Sequence, residues 1–291
     1  MNETPKRILS AAVALPIYCF LVVSDVFYSI PILIASLLIS LGCLWEYYQI
    51  SSRDEGNRPF IAAGMAMAVA VNLVMYLYAF GRVYGYAAHV PPFDARFIFA
   101  VFAIGLPIVF AVHIRKRPVA GGIYSLATTV FGVVFIAFLF SHIILLKALK
   151  DGYIYVLILN AIVMLNDSGA YFGGVYFGKH KAGFKVSPNK SWEGYFSGLL
   201  TSILSMLIAS MVLESFFGKS LFSMVEAAII GIAISLIGNI GDLAESALKR
   251  DGAIKDSGSL IPGHGGFWDV FDSMIVTLPL FYYYLVLKGV Q

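Results

Sequence analysis

The polar side chains whose types and spacing suggest chemistry lie in the C-terminal half of the chain. Asp242, Glu245 or Ser246, and Lys249 recur every three or four residues, so a helix would carry them along one face. Asn239 extends this stripe by one turn. Because charge is costly in contact with lipid, we expect the polar face of this helix to point at a site inside the protein.

Three carboxylates, Asp242, Asp269 and Asp272, are candidates for a metal centre. Asp269 and Asp272 are three residues apart at the start of the last predicted helix and would share one face. Carboxylate oxygens suit Mg²⁺, which usually takes one or two of them together with substrate phosphates and water. The alternative is a network of structural ion pairs at a membrane surface. It leaves unexplained why acids gather in two helices when only 13% of the residues are charged.

The segment between these two helices is rich in glycine and in charge. It carries Arg250, Lys255 and Asp256, followed by a Pro-Gly-His-Gly-Gly run around His264. Together with Lys249, the basic side chains would neutralise phosphate charge beside the carboxylates. The glycines let backbone N–H groups approach an anion closely. For His264 three roles stay open: a hydrogen-bonded loop residue, a phosphate contact or an acid–base group.

Two further polar islands precede this segment. Asp167 lies more than ten residues into an otherwise apolar stretch, where a carboxylate costs at least ~2.5 kcal/mol and marks a functional site, with a satisfied structural carboxylate as the alternative. Gly169 and Gly173 would let neighbouring helices approach closely. Lys190 and Ser191 follow a lysine-rich loop and would begin the next helix, where free N–H groups favour an anion. Attraction of that loop to anionic lipid is the alternative.

Membrane-spanning helices must position these residues. The chain has 291 residues, of which 59% are hydrophobic and 13% charged, about half the charge of a soluble domain. This composition excludes an ordinary globular enzyme and a disordered chain. We predict an all-α, polytopic integral membrane protein with about nine transmembrane helices, each near the 20 apolar residues that a crossing needs. The predicted spans are Ile8–Ser24, Tyr28–Trp45, Phe60–Phe80, Phe97–Ile114, Val119–Leu146, Tyr153–Phe177, Trp192–Phe217, Phe222–Leu248 and Phe267–Leu287.

The basic residues predict how these spans are oriented. Nine spans place fourteen of the 20 Lys and Arg residues on the side of the N-terminus, so the positive-inside rule predicts a cytoplasmic N-terminus. Residues 1–150 would form about five structural, lipid-facing spans. Residues 151–291 would form a catalytic region of about four spans, with cytoplasmic loops at 178–191 and 249–266. The net charge of +3 fits anionic lipid or substrate and does not imply nucleic acid.

Three blocks of the C-terminal half resemble a known family. The run S-A-L-K-R-D-G-A-I-K-D-S-G-S-L-I-P-G-H-G-G-F-W-D-V-F-D, from Ser246 to Asp272, closely resembles the C-terminal motif of the phosphatidate cytidylyltransferase (CDP-diacylglycerol synthase) family. D-S-G-A-Y-F-G-G-V-Y-F-G-K-H from Asp167 and S-P-N-K-S-W-E-G from Ser187 look like the other two blocks of that family, in the same order. The resemblance is specific over about residues 167–272.

The resemblance implies a fold and a reaction. Members of the family are all-helical, multi-span homodimers of the inner or endoplasmic membrane. They join CTP and phosphatidate to give CDP-diacylglycerol and pyrophosphate, with Mg²⁺ as cofactor; whether a second cation takes part stays open. We therefore expect an enzyme of the inner (plasma) membrane whose active site faces the cytoplasm.

The resemblance also implies roles for individual residues. It makes Asp242, Asp269, Lys249 and Lys255 catalytic, with the metal held by Asp242, Asp269 and Asp272. The implied substrate-binding residues are Lys190, Ser191, Arg250, Asp256, His264 and Asp167. One position departs from the family: Val270 stands where an Arg usually follows the first Asp of the last pair. Valine cannot replace the bidentate phosphate contact of an arginine.

Two other functions stay open. A related CTP-dependent transferase acting on another lipid phosphate would carry almost the same motifs. A cation-coupled transporter would use the intramembrane acids as an ion site. Such a transporter should place polar residues along both halves of its path, whereas the polar residues here cluster towards one side.

Overall fold

The computed structural model describes residues 3–54, 56–84, 96–258, 260 and 265–290, with the backbone alone for residues 3–11 and 82. Across these residues the chain is helical and forms no β-strand, which confirms the predicted fold class. Its helices are α1 (Glu3–Val23), α2 (Val26–Ile50), α3 (Ile61–Val83), α4 (Phe97–Lys116), α5 (Gly122–Gly132), α6 (His142–Ala148), α7 (Gly152–Phe177), α8 (Trp192–Phe217), α9 (Met224–Asp251) and α10 (Trp268–Leu287).

Eight helical spans within the described residues are long and apolar enough to cross a membrane. They correspond to the second to ninth predicted spans, so the protein is a polytopic membrane protein. The predicted first span falls on α1, of which Ala12–Val23 counts as a shorter apolar helix. The count of about nine spans and the cytoplasmic N-terminus therefore stay predictions.

The fifth predicted span, Val119–Leu146, is not one continuous α-helix. A π-helical segment, Val133–Phe138, joins α5 to α6. At its end the Ser141 hydroxyl donates to the carbonyl of Phe138 at 2.7 Å, and Nδ1 of His142 lies 3.0 Å from the same oxygen. Side chains thus satisfy a carbonyl at the point where the helical hydrogen-bond ladder changes. The spacing of apolar residues in the sequence does not indicate such a change from α-helical to π-helical hydrogen bonding.

The α7–α8 pair packs closely because glycines line the contact. A Cβ atom at Gly169 would lie 2.8 Å from the Cβ of Thr201, and one at Gly173 would collide with Ser197. The predicted role of these two glycines in close helix packing is confirmed. The pair forms one wall of the C-terminal half, and α9 and α10 pack beside it.

Contacts between loops divide the charged residues over two ends of the helical bundle. One end, which we call the site face, lies where the loops that follow α2, α4 and α7 and the last turn of α9 meet. Three contacts join these segments: Arg53–Asp251 at 2.5 Å, Arg117 Nη2 to the Pro59 carbonyl at 3.2 Å, and Arg250 Nε to the Val186 carbonyl at 3.4 Å. The opposite face is joined by three ion pairs, Lys147–Asp25, Lys219–Asp151 and Lys288–Glu226. Among the described residues, the loops at 178–191 and after α9 thus lie at the same end of the bundle, as predicted; that this end is cytoplasmic stays a prediction.

The two predicted regions are in contact rather than separate. Helix α10 packs against α2 and α6 of residues 1–150 as well as against α7 and α9. The proposed division of labour at residue 150 stays a prediction about function.

Candidate active site

Three carboxylates meet where α9 and α10 approach each other near the site face. One oxygen each from Asp242, Glu245 and Asp272 lies within 4.8 Å of the others; we call these three residues the acid cluster. Gly241 makes the approach possible, because a Cβ there would lie 2.7 Å from the carbonyl oxygen of Asp272. Like charges this close repel one another unless a cation or a proton is shared between them.

Glu245 is the most buried member of the acid cluster, with 1% of its surface exposed. Its Oε2 atom accepts from Lys249 Nζ at 2.6 Å. Its Oε1 atom is buried and has no hydrogen-bond partner among the described residues. A buried carboxylate oxygen without a donor costs free energy, so the atom fits the coordination of a cation.

Asp269 lies beside the acid cluster and has a different set of partners. Its Oδ1 atom accepts from Lys249 Nζ at 2.6 Å. Its Oδ2 atom accepts from Ser257 N at 3.0 Å, Ser257 Oγ at 2.9 Å and Gly266 N at 2.8 Å. Oδ1 thus ties Asp269 to α9, and Oδ2 ties it to Ser257 and Gly266 of the intervening loop. The geometry groups Glu245, rather than Asp269, with Asp242 and Asp272.

Lys190 brings the loop before α8 to the acid cluster. Its Nζ atom pairs with Oδ2 of Asp242 and lies 5.5 Å from the centroid of the Tyr195 ring. Burial disfavours the charge of this ammonium group, but the attraction of Asp242 outweighs burial and raises the pKa of Lys190 above its usual value. Lys190 is therefore cationic at neutral pH.

Ser191 begins α8, as predicted. Its hydroxyl accepts from the backbone N–H of Gly194 at 3.2 Å, so it caps the helix. The backbone of the preceding loop folds back on itself, since Ala182 N donates to the Lys190 carbonyl at 2.9 Å. This turn holds Lys190 against α9.

Asp167 lies on the surface of α7 and accepts from the side-chain nitrogen of Asn166 at 3.1 Å. Asn166 is 2% exposed, and its amide oxygen is buried without a hydrogen-bond partner among the described residues. Asp167 is thus exposed on a largely apolar helix, and its hydrogen-bond donor Asn166 lies buried beside it.

The remaining predicted site residues lie in the last turn of α9 and on the loop that follows it. Arg250 is exposed and donates to the carbonyls of Val186 and Ile254 at 3.4 and 3.0 Å. The side chains of Lys255 and Asp256 are exposed, and neither has an ion pair or hydrogen bond within the part of the chain that the structure describes. His264 lies outside the described residues.

Sequence reasoning missed one buried acid near the site, Glu46 of α2. The predicted second span ends one residue earlier, at Trp45, whereas α2 continues to Ile50. Glu46 is 3% exposed and accepts from the backbone N–H groups of Phe267 and Trp268, both at 2.9 Å. The cost of a carboxylate beside an apolar run, the same signal that singled out Asp167, would have found it.

The fold and the site define a polytopic membrane protein with a partly buried acidic centre, bordered by lysines, near one end of its helical bundle. The sequence model of the cytidylyltransferase family matches residues 5–288, so the chain belongs to this family.

Curated relatives agree with this membership. A protein of Bacillus subtilis named phosphatidate cytidylyltransferase is 27% identical over 290 residues, which is 99% of both chains. Proteins of the same name from Staphylococcus epidermidis and Haemophilus influenzae are 44% and 42% identical over 131 and 126 residues. These two matches have higher identity but are shorter. They cover 45% and 42% of this chain and 48% and 42% of the relatives. In them the chain therefore aligns with about half the length of the relative.

Proposed function

We propose that the protein is a phosphatidate cytidylyltransferase, which joins CTP and phosphatidate to give CDP-diacylglycerol and pyrophosphate. The observation that carries the proposal is the acid cluster at the site face, bordered by Lys190 and Lys249. The names of the curated relatives support the same reaction. Acids alone would repel both substrates, so the cationic groups around them decide which ligands fit.

Several cationic side chains suit the phosphates of the two substrates. Lys190 and Lys249 are tied to carboxylates and fix positive charge inside the site. Arg250, in the last turn of α9, and Lys255, on the loop that follows, are exposed and can reach phosphate oxygens from the aqueous side. This division suits a reaction in which charge moves onto a departing pyrophosphate.

The reaction needs positioning more than proton transfer. An oxygen of the phosphatidate phosphate attacks the α-phosphorus of CTP, and the bond from that phosphorus to the bridging oxygen of pyrophosphate breaks. Phosphatidate is already an anion near neutral pH, so no side chain has to act as a strong base. The basic groups hold the two anions together against their mutual repulsion and stabilise the leaving group.

Mg²⁺ is the proposed cofactor, with a second cation left open. Asp242, Glu245 and Asp272 would hold it, since their oxygens converge and Oε1 of Glu245 lacks a donor. When bound, the ion would neutralise phosphate charge and polarise the phosphorus centre. In this proposal Asp269 orients Lys249 and the loop, and Lys190 holds Asp242.

The membrane setting suits a lipid substrate. The acyl chains of phosphatidate stay in the bilayer while its head group meets soluble CTP at the site face. We infer that this face is cytoplasmic, that the protein resides in the inner (plasma) membrane, and that it functions as a homodimer. The first inference rests on the distribution of basic residues, and the other two rest on the family.

The direct test is to incubate purified protein with labelled CTP, phosphatidate and Mg²⁺ and to look for a CDP-lipid. We expect Asp242→Asn and Asp269→Asn to abolish turnover while the protein still inserts into membranes. Glu214→Gln, at an exposed glutamate of α8, serves as the matched control and should keep wild-type activity. Absence of product with phosphatidate, but formation of product with another lipid phosphate, would transfer the proposal to that substrate. No product with any lipid phosphate would refute it.

A further inference from the structure

Glu46 is a buried carboxylate that the proposed reaction does not use. It lies on α2, in the half of the chain predicted to be structural, and 3% of its surface is exposed. Its Oε1 atom accepts from Phe267 N at 2.9 Å, and its Oε2 atom accepts from Trp268 N at 2.9 Å and from Ser257 Oγ at 2.8 Å. A buried charge with three donors is held in a single geometry.

Two of these donors belong to the start of α10. The residue that precedes this helix, Phe267, provides no side-chain cap of its own. The first N–H groups of a helix need an acceptor, and a negative charge there also complements the helix dipole. Glu46 therefore caps α10 from a different helix, and α2 sets where α10 begins.

The third donor links Glu46 to the acid cluster. The Ser257 hydroxyl lies 2.8 Å from Glu46 Oε2 and 2.9 Å from Asp269 Oδ2, so its single proton is shared between the two carboxylates and bridges them. Asp269 pairs with Lys249, which pairs with Glu245, each at 2.6 Å. An unbroken series of polar contacts thus runs from α2 to the most buried member of the acid cluster.

Two glycines of the loop, Gly258 and Gly266, lie in close contact with Glu46. A Cβ atom at Gly258 would lie 2.6 Å from Glu46 Oε1, and one at Gly266 would collide with both carboxylate oxygens. Gly266 belongs to the glycines around His264 that were expected to let backbone approach an anion, and the anion beside it here is a side chain of the protein.

We propose that Glu46 is a positioning residue for the acid cluster. It holds the start of α10 and, through Ser257 and Asp269, sets the place of Lys249 and Glu245. The inference rests on the proposed function, because the acid cluster must bind Mg²⁺ and support transfer for its position to matter. It gives the N-terminal half a part in the site.

The test uses the full-length protein in detergent and three variants. Glu46→Gln removes the charge and replaces an acceptor by a donor, Ser257→Ala removes the bridge but leaves the cap of α10, and Glu214→Gln is the matched surface control. For each we would measure kcat, KM for CTP, the Mg²⁺ concentration at half-maximal activity, and hydrogen–deuterium exchange at the amides of Phe267 and Trp268. The rise in melting temperature on adding Mg²⁺ without substrate gives a readout that does not need turnover.

We expect Glu46→Gln and Ser257→Ala to lower kcat roughly 10- to 100-fold and to raise the Mg²⁺ requirement, as disturbance behind metal ligands usually does. KM for CTP should stay within about twofold of wild type. Exchange at the two amides should accelerate in Glu46→Gln only, and Glu214→Gln should match wild type throughout.

Two results would overturn the inference. One is wild-type kcat and Mg²⁺ dependence in folded Glu46→Gln and Ser257→Ala. The other is a loss of activity that follows loss of folded protein, with the Mg²⁺ dependence unchanged, since a purely structural role predicts that pattern. If the wild type makes no CDP-lipid, the proposed function fails but the melting shift still decides: a smaller Mg²⁺ shift in the variants supports positioning, and an equal shift refutes it.

Discussion

The two carboxylate oxygens of Glu245 have different surroundings. One of its oxygens holds Lys249 at 2.6 Å, and the other is buried with no donor in the described part of the chain. The paired oxygen fixes the side chain, so the unpaired one is aimed without further loss of conformational freedom. This preorganisation suits a ligand that arrives with its own positive charge.

The first prediction follows from the unpaired oxygen of Glu245. Glu245→Gln removes one negative charge from the acid cluster, so we expect the Mg²⁺ concentration at half-maximal activity to rise about tenfold, equivalent to about 1.4 kcal/mol. The measurement is a Mg²⁺ titration of CDP-lipid formation at fixed CTP, with Glu214→Gln as control. Superimposable Mg²⁺ curves for Glu245→Gln and the wild type would remove Glu245 from the metal site.

Lys190 gives a prediction with a pH dependence. Lys190→Met leaves the half-buried Asp242 without its partner beside two other acids, and we expect a loss of about 1–2 kcal/mol of stability. Because the pKa of Lys190 is raised, its contribution is fully present below the unfolded pKa of 10.5 and is lost only as the pH rises through the higher folded value. The difference in melting temperature should thus be constant between about pH 6 and pH 9. Lys190→Arg, which keeps the charge, should recover most of the loss, and a difference that vanished within that range would contradict the assignment.

At the scale of elements, the spans were predictable because apolar length is a local property. The predicted span Phe222–Leu248, for example, differs from α9, Met224–Asp251, by a few residues at each end. The polar stripe of α9 likewise placed Asp242 and Lys249 on one face from helical spacing, but it left open whether Glu245 or Ser246 lies between them. Glu46 was not predictable in this way, because its partners lie 211 to 222 residues further along the chain. Only tertiary packing shows that α2 caps α10.

The α7–α8 contact gives a prediction for a pair of glycines. A Cβ at Gly173 meets Ser197, whose own Cβ is fixed to the α8 backbone, so Gly173→Ala must separate the helices. Overpacking of this kind costs about 1–3 kcal/mol, and we expect a melting temperature several degrees lower. Gly81→Ala is the matched control, since a Cβ there meets nothing within 4 Å and alanine favours a helix. Equal melting temperatures for the two variants would show that the contact tolerates a methyl group.

Over the whole molecule, charged side chains lie at two ends of the helical bundle, the site face and the opposite face, and their pairing differs between the two. The ion pairs of the opposite face, such as Lys219–Asp151 and Lys288–Glu226, are closed pairs of one cation and one anion. At the site face, Lys255 and Asp256 are exposed without partners among the described residues, and the acid cluster has three carboxyl groups beside two lysines, Lys190 and Lys249. Charged side chains that lack a partner of opposite charge are thus found at the site face, where a bound ligand can neutralise them.

Orientation decides whether this arrangement can work, because CTP is available only inside the cell. In a variant with Cys19 and Cys43 replaced by alanine, a single cysteine at the exposed Lys179 marks the site face and one at the exposed Ser220 marks the opposite face. We expect a membrane-impermeant maleimide to label Ser220→Cys in intact cells and Lys179→Cys only in inverted vesicles, since the positive-inside rule puts the lysine-rich loop in the cytoplasm. Labelling in permeabilised cells shows that both cysteines are reactive. The reverse pattern would place the site face outside the cell, where no nucleotide reaches it, and the proposed reaction would then be excluded even if the acid cluster binds Mg²⁺.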